Sequence, residues 1–260
     1  MFGRRYSNRL DSGLRLGINN EHKRIRQKSK NFDNKLLKIK LKESKEGFLY
    51  VPELIKQSKV DIKVRDSKNF YLRIVVALNL IKASEYFNKK GYILCIESSY
   101  RSIDEQKTRF KKRFNELKKS FPKKTNEELL NRANIYTAGI PIFASHIAGA
   151  SVDVLLQNKA GKLLFFGAHY PKGDIESVTN YPHLSKIAKI NRKILKNGME
   201  RHGFVNYPFE YWHYSIGDVC AAHILKQKYA KYGPVNYDFK NKKYFFEKDK
   251  KELYSYFKVD

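Results

Sequence analysis

Apolar positions in this chain recur with two different periods, and the switches between them mark out its elements. Tyr71, Ile74, Val75, Leu78 and Ile81 fall at three- and four-residue steps. That spacing predicts an amphipathic helix that runs to about residue 89 and stops at Gly91. Residues 92–97, YILCIE, form a short apolar run suited to a buried strand. Ser102 with Glu105, and Thr125 with Glu128, each have the spacing of a capping box. The helices they open extend to about residue 119, ahead of Pro122, and to about residue 136. Residues 151–156 read as a strand, 158–161 as a turn and 162–166 as a returning strand, which sets Asp153 on a hairpin. Residues 184–202 carry Ile187, Ile190 and Ile194 on one stripe and are closed by Gly203. Residues 211–216 are aromatic and β-prone, and Pro208 just upstream argues against a helix there.

Polar composition divides the chain into three parts. Residues 1–47 contain HKRIRQKSK and KLLKIKLKESK, a charge-dense stretch with few apolar anchors, expected to be a mobile or loosely packed basic arm. Residues 48–235 have globular composition and form the expected main domain. Residues 236–260 are a lysine- and aromatic-rich C-terminal extension. Lysine and arginine number 53 against 26 acidic residues, a formal charge of +27, which draws the chain toward polyanions without naming one. Cys95 and Cys220 lie far apart among apolar residues, so buried thiols are expected in place of a disulfide. The longest apolar run, residues 74–78, is too short to cross a bilayer. Residues 1–30 hold no apolar segment of signal-peptide length, so a cytoplasmic location is expected, with the periplasm or export as alternatives.

Two stretches carry chemistry. Residues 144–153, ASHIAGASVD, supply His146 and, seven residues on, Asp153, with Gly149 between them where the backbone can turn. Residues 208–218, PFEYWHYSIGD, supply Glu210 and His213. Each stretch alone is equally a loop histidine beside a solvated carboxylate. Together they offer two imidazoles, one ligating carboxylate and one spare carboxylate, the inventory of a hydrolytic zinc site. Residues three apart on a strand face opposite sides, so Glu210 and His213 converge only if Glu210 belongs to the preceding turn. Arg101 stands just past the apolar strand, where a rigid scaffold can hold it over a cleft.

Four blocks in order, SHIAGASVD, NRKILKNGMERHGF, EYWHYSIGD and AKYGPV, resemble the zinc D-alanyl-D-alanine dipeptidases. These belong to the wider D-Ala-D-Ala metallopeptidases, which include the D,D-carboxypeptidases, and the similarity runs from roughly residue 48 to 235. The resemblance implies an α+β fold, a small antiparallel sheet with flanking helices that carries the zinc site. It implies that His146, Asp153 and His213 hold Zn2+, that Glu210 is the catalytic base, and that Arg101 steadies the oxyanion. The partner it implies is a small peptide substrate, D-Ala-D-Ala or a related cell-wall peptide. Ser145, Asp174 and Tyr214 are expected substrate contacts.

Three departures bear on specificity. Tyr211 and Trp212 stand where the family has two tryptophans, and Ser102 follows the arginine where proline is usual, as in the carboxypeptidase branch. A family aspartate implied to bind the free amino terminus falls at Pro171, and Asp174 replaces it only through a local shift. A D,D-carboxypeptidase or endopeptidase acting on longer peptidoglycan peptides is therefore the alternative. A non-enzymatic polyanion binder is a more distant one, motivated by charge alone, and nucleic acid is disfavoured as a partner because all five site residues are present.

Overall fold

A computed structural model describes residues 12–65, 70–171, 175–245 and 252–259. The chain begins with helix α1 (Ser12–Leu36), strands β1 (Lys40–Leu41) and β2 (Phe48–Tyr50), helix α2 (Val51–Ser58), and strands β3 (Ile62–Val64) and β4 (Tyr71–Arg73). Helix α3 (Ile74–Lys89), strand β5 (Tyr92–Ser98), helices α4 (Ile103–Ser120) and α5 (Asn126–Asn134) and strand β6 (Ser151–Asn158) follow. Then come helix α6 (Lys186–Glu200), strands β7 (Val205–Asn206) and β8 (His213–Ser215), and helix α7 (Val219–Ile224). Short strands β9 (Tyr229–Ala230), β10 (Asn236–Asp238) and β11 (Lys243–Phe245) close the series.

The main sheet has five strands in the order β3-β5-β6-β8-β7. β5, β6, β8 and β7 pair antiparallel, as the resemblance implies, while β3 adds one parallel edge pair to β5. β6 lies between β5 and β8 and is buried over seven consecutive residues, so SVDVLLQ reads as continuous core instead of alternating. α3 and α6 contribute Leu80, Phe87, Leu195 and Met199 to the cluster that covers this sheet. A second cluster, led by Phe110, Phe114 and Leu129, joins α4 to α5 and takes in Phe257 of the C-terminal extension. Thr125 forms the complete capping box with Glu128, whereas Ser102 accepts from the Glu105 backbone alone.

Four expectations are corrected by this packing. Tyr71 lies on β4, which pairs with β2, so the helix begins only at Ile74. The buried stripes of α3 and α6 are rotated from the large apolar residues: Val75, Leu78, Ile187 and Ile190 are exposed, whereas Ala77, Ala83, Ala188 and Gly198 face inward. Small residues let these helices come close, and a Cβ on Gly198 would collide with the Phe87 ring. The returning strand at 162–166 is reduced to a single bridge between Gln157 and Leu163, because β8 takes that side of β6 over residues 151–153. Part of the expected loose arm is helix α1, which sets Phe32 edge-on against Tyr207, Phe209 and His223 and buries Leu36.

Arg73 ties the linker before β2 to the rest of the body. Its side chain is fully buried, with Nε donating to the Ala148 carbonyl at 2.8 Å and Nη1 to the Glu46 carbonyl at 2.7 Å. Glu43 lies 3.1 Å away, and the guanidinium sits between the Phe48 and Tyr232 rings. Removing one partner of a buried charge pair leaves the other unpaired in a poorly solvated place. Arg73→Met is therefore expected to cost about 3 kcal/mol or more, measured by denaturant unfolding, whereas Arg65→Met at a largely exposed pair with Glu97 costs under about 1 kcal/mol.

Candidate metal centre

The sheet register brings the site together. Asp153 on β6 is the cross-strand partner of His213 on β8 and of Ser98 on β5, where a bulge between Ile96 and Ser98 re-aims the strand end. His146 stands on a 3-10 turn, Ser145–Ala148, that immediately precedes β6. Gly149 ends that turn at φ +65, and a Cβ there would strike the Phe48 ring, so both backbone and space require glycine. Arg73 fixes the loop from outside, and the Arg101 backbone N–H donates to the His146 carbonyl at 3.3 Å.

His146, Asp153 and His213 offer ligand atoms within 4.8 Å of one another, all three residues buried. Asp153 Oδ1 lies 3.2 Å from His146 Nε2 and 2.8 Å from His213 Nδ1. Ligands at ~2.0–2.2 Å from a tetrahedral zinc stand roughly 3.3 Å apart, so small movements suffice to fit the ion. The outer hydrogen bonds fit as well. His146 Nδ1 is 2.7 Å from the Ser99 carbonyl, which can only accept, so that nitrogen carries the proton. Burial, and then the Arg101 charge, push His146 down to about 4, so at neutral pH its Nε2 presents a lone pair. That lone pair faces a carboxylate oxygen with no proton between them, an arrangement that a cation resolves.

Burial works against ionisation of Asp153, but the charges and hydrogen bonds of His146 and His213 hold its carboxyl well below the usual range. Burial also acts to lower His213, yet the hydrogen bond and charge of Asp153 raise it overall. His213 Nε2 lies 2.8 Å from Ser145 Oγ, and a hydroxyl can donate or accept, so Ser145 suits either tautomer.

Glu210 belongs to the turn before β8, as convergence with His213 requires. The His213 backbone N–H donates to the Glu210 carbonyl, and Asn206 Nδ2 donates to the same oxygen at 2.9 Å. Glu210 Oε2 is 3.8 Å from His213 Nδ1, and burial raises its pKa above the ordinary glutamate value. Arg101 faces the opposite side of the carboxylate, with Nη2 3.9 Å from Asp153 Oδ2. Its guanidinium is aimed by donation to Ser98 Oγ at 2.7 Å and to Gln106 Oε1 at 3.1 Å. His146, Asp153, His213, Glu210 and Arg101 all line one cleft of about 780 Å³.

The remaining expectations fare differently. Tyr214 is fully buried in the main cluster, because strand alternation turns it away from the face that carries His213, so it is no substrate contact. Ser145 lines the cleft with its hydroxyl engaged by His213. Asp174 lies outside the described residues. Tyr170 was not foreseen; its hydroxyl donates to Asp153 Oδ2 at 3.2 Å, and only its place beside Pro171 could have drawn notice. Gln106 was hidden inside an ordinary helix start.

Two imidazoles and a carboxylate close enough to hold one metal ion, with a further carboxylate beside them, match the donor set of a mononuclear metallohydrolase. A family model described as D-ala-D-ala dipeptidase, Peptidase M15, matches residues 59–233, and the chain belongs to that family. It is thus a metallopeptidase of the D-Ala-D-Ala peptidase type, and zinc is the metal of this family. The D-alanyl-D-alanine dipeptidase of Enterococcus faecalis (strain ATCC 700802 / V583) is 27% identical over 187 residues, 66% of this chain and 92% of that protein. The Enterococcus faecium D-alanyl-D-alanine dipeptidase is 26% identical over the same shares of each chain. The solved structure of a mutant vancomycin resistance D,D-pentapeptidase, VanY, in complex with Zn(II), overlaps 66% of this chain and 89% of its own at 18% identity and a TM-score of 0.40. Among the described residues, no helix is long and apolar enough to cross a membrane.

The donor geometry gives a direct expectation for metal loading. Zinc titration of stripped protein by calorimetry yields about one ion per chain, and Asp153→Asn weakens binding by more than the roughly 10–100-fold that loss of an outer partner costs. The ion must displace the proton that His213 holds, so apparent affinity falls as pH drops through the His213 pKa, which Asp153 raises above its ordinary value. His146, at about 4, adds no dependence near neutrality.

Proposed function

We propose that the protein hydrolyses the peptide bond of D-Ala-D-Ala units, with His146, Asp153 and His213 as zinc ligands and Glu210 as general base. The observation that carries the reading is the spare carboxylate of Glu210, half-buried and 3.8 Å from a ligand nitrogen, in a cleft that also holds Arg101. A zinc ion held there supplies Lewis acidity and an acidified water. Glu210 takes a proton from the attacking water and returns it to the departing amine. Its raised pKa makes it a stronger base than an exposed glutamate, and the deprotonated form it needs is lost as pH falls through that value. Arg101 offsets the negative charge that grows on the scissile carbonyl oxygen, an interaction strongest at the transition state. Ser98 and Gln106 keep its guanidinium from folding back onto Asp153. Ser145 and Tyr170 orient His213 and Asp153.

Substrate length has a second reading. A cleft of about 780 Å³ exceeds what two alanines need, and Pro171 stands where the family has its amine-binding carboxylate, which together support D,D-carboxypeptidase action on longer peptides.

Zinc-loaded protein is to be incubated in parallel with free D-Ala-D-Ala, its N-acetylated form and a muramyl pentapeptide, with released D-Ala as the readout. Faster turnover of the blocked forms assigns the carboxypeptidase reading, faster turnover of the free dipeptide assigns the dipeptidase, and turnover of none sinks both. Glu210→Ala is expected to lower kcat by about 10²–10⁴-fold while retaining one zinc per chain by elemental analysis.

A further inference from the structure

Helix α4 starts beside Arg101 and runs outward along the cleft. Gln106, which holds Arg101, is followed on the same face by Arg109, Arg113 and Glu116 at steps of three and four residues. These residues line the cleft, and so does Lys112. Gln106 and Arg113 are two helical turns apart, about 10 Å along the axis. The wall therefore begins at the reacting centre and ends well past the reach of a dipeptide.

Its charge is uneven. α4 carries seven lysines and arginines against three acidic residues. Arg109 pairs with Glu105 at 2.8 Å, while Arg113 pairs with Glu116 at 3.1 Å and lies over the Tyr136 ring, so both guanidinium charges already face carboxylates at the exposed rim. Lys112 has neither an ion-pair nor a hydrogen-bond partner among the described residues. A lone surface lysine is ordinary, but this one stands between two charge-paired arginines and lines a cleft too large for the smallest substrate. The formal charge of +27 adds a field that draws anions toward it.

We propose that the α4 wall is a specificity subsite for a carboxylate that the substrate carries about three residues before the D-Ala-D-Ala unit, with Lys112 as its main contact. Three extended residues span roughly 10 Å, which matches the distance from Gln106 to Arg113. The favoured substrates are then acidic peptides longer than the dipeptide. This inference rests on the peptidase reading above, because it takes Arg101 to mark the scissile bond.

The test compares succinyl-Gly-Gly-D-Ala-D-Ala with acetyl-Gly-Gly-D-Ala-D-Ala, a pair that differs by one terminal carboxymethyl group and so by one negative charge. Affinities are measured by calorimetry on zinc-loaded Glu210→Ala protein, and kcat/KM on the unaltered enzyme. The succinyl peptide is expected to bind about three- to five-fold more tightly at low salt, with the preference fading in 0.5 M NaCl as screening shortens the field. Lys112→Glu reverses the preference in both measurements. Equal affinity for the two peptides, or a preference that survives Lys112→Glu, overturns the proposal. Tighter binding of a duplex oligonucleotide than of either peptide at 0.15 M salt overturns it too, by assigning the wall to nucleic acid. Hydrolysis of neither peptide, nor of free D-Ala-D-Ala assayed beside them, defeats the peptidase reading, while the affinity ratio still decides the subsite.

Discussion

The Asp153 carboxylate, held between two imidazoles on the central strand of the sheet, is the interaction on which the site depends. It sits where hydrophobic residues would otherwise continue the run of β6, and its burial would be costly without the groups that surround it. Each of those groups comes from a different element. His213 arrives by sheet pairing, His146 by the turn before the strand, Tyr170 from the loop after it and Arg101 from the end of β5. One buried charge therefore reports on the correct assembly of most of the fold.

The meeting of His146, Asp153, Glu210 and His213 in one cleft was legible in the sequence because they lie in short blocks whose internal spacing is fixed by local geometry. Seven residues separate His146 from Asp153 through a turn that only glycine closes, and Glu210 is placed in a turn by the same proline that forbids a helix. The helix faces were less legible. Large apolar residues such as Ile187 and Ile190 mark the stripe a pattern search selects, yet α6 buries Ala188, Gly198 and Arg192. The guanidinium of Arg192 binds the carbonyls of Phe166, Glu176 and Val178, a use of a charged residue that periodicity cannot reveal. The docking of α1 was hidden for a related reason. Phe32 and Leu36 are isolated in a basic segment, and the aromatic rings they meet lie far along the chain.

Parts of the molecule that the four sequence blocks do not describe also line the cleft. α1 brings Asp33 and Leu36 to the cleft from outside the matched region, and burial lifts Asp33 to about 7 beside the Tyr207 hydroxyl. Tyr207 in turn packs edge-on against His213. The wall of the cleft is thus built partly from α1, outside the matched residues 59–233.

Arg73 has a consequence that reaches beyond its own surroundings. It grips the Ala148 carbonyl from a fully buried seat, and the β4 backbone binds Gly149, so the loop that carries His146 is braced from the far side of the sheet end. Damage in that remote seat is therefore transmitted to the cleft, and a lesion that never touches the reacting groups can still misplace one of them.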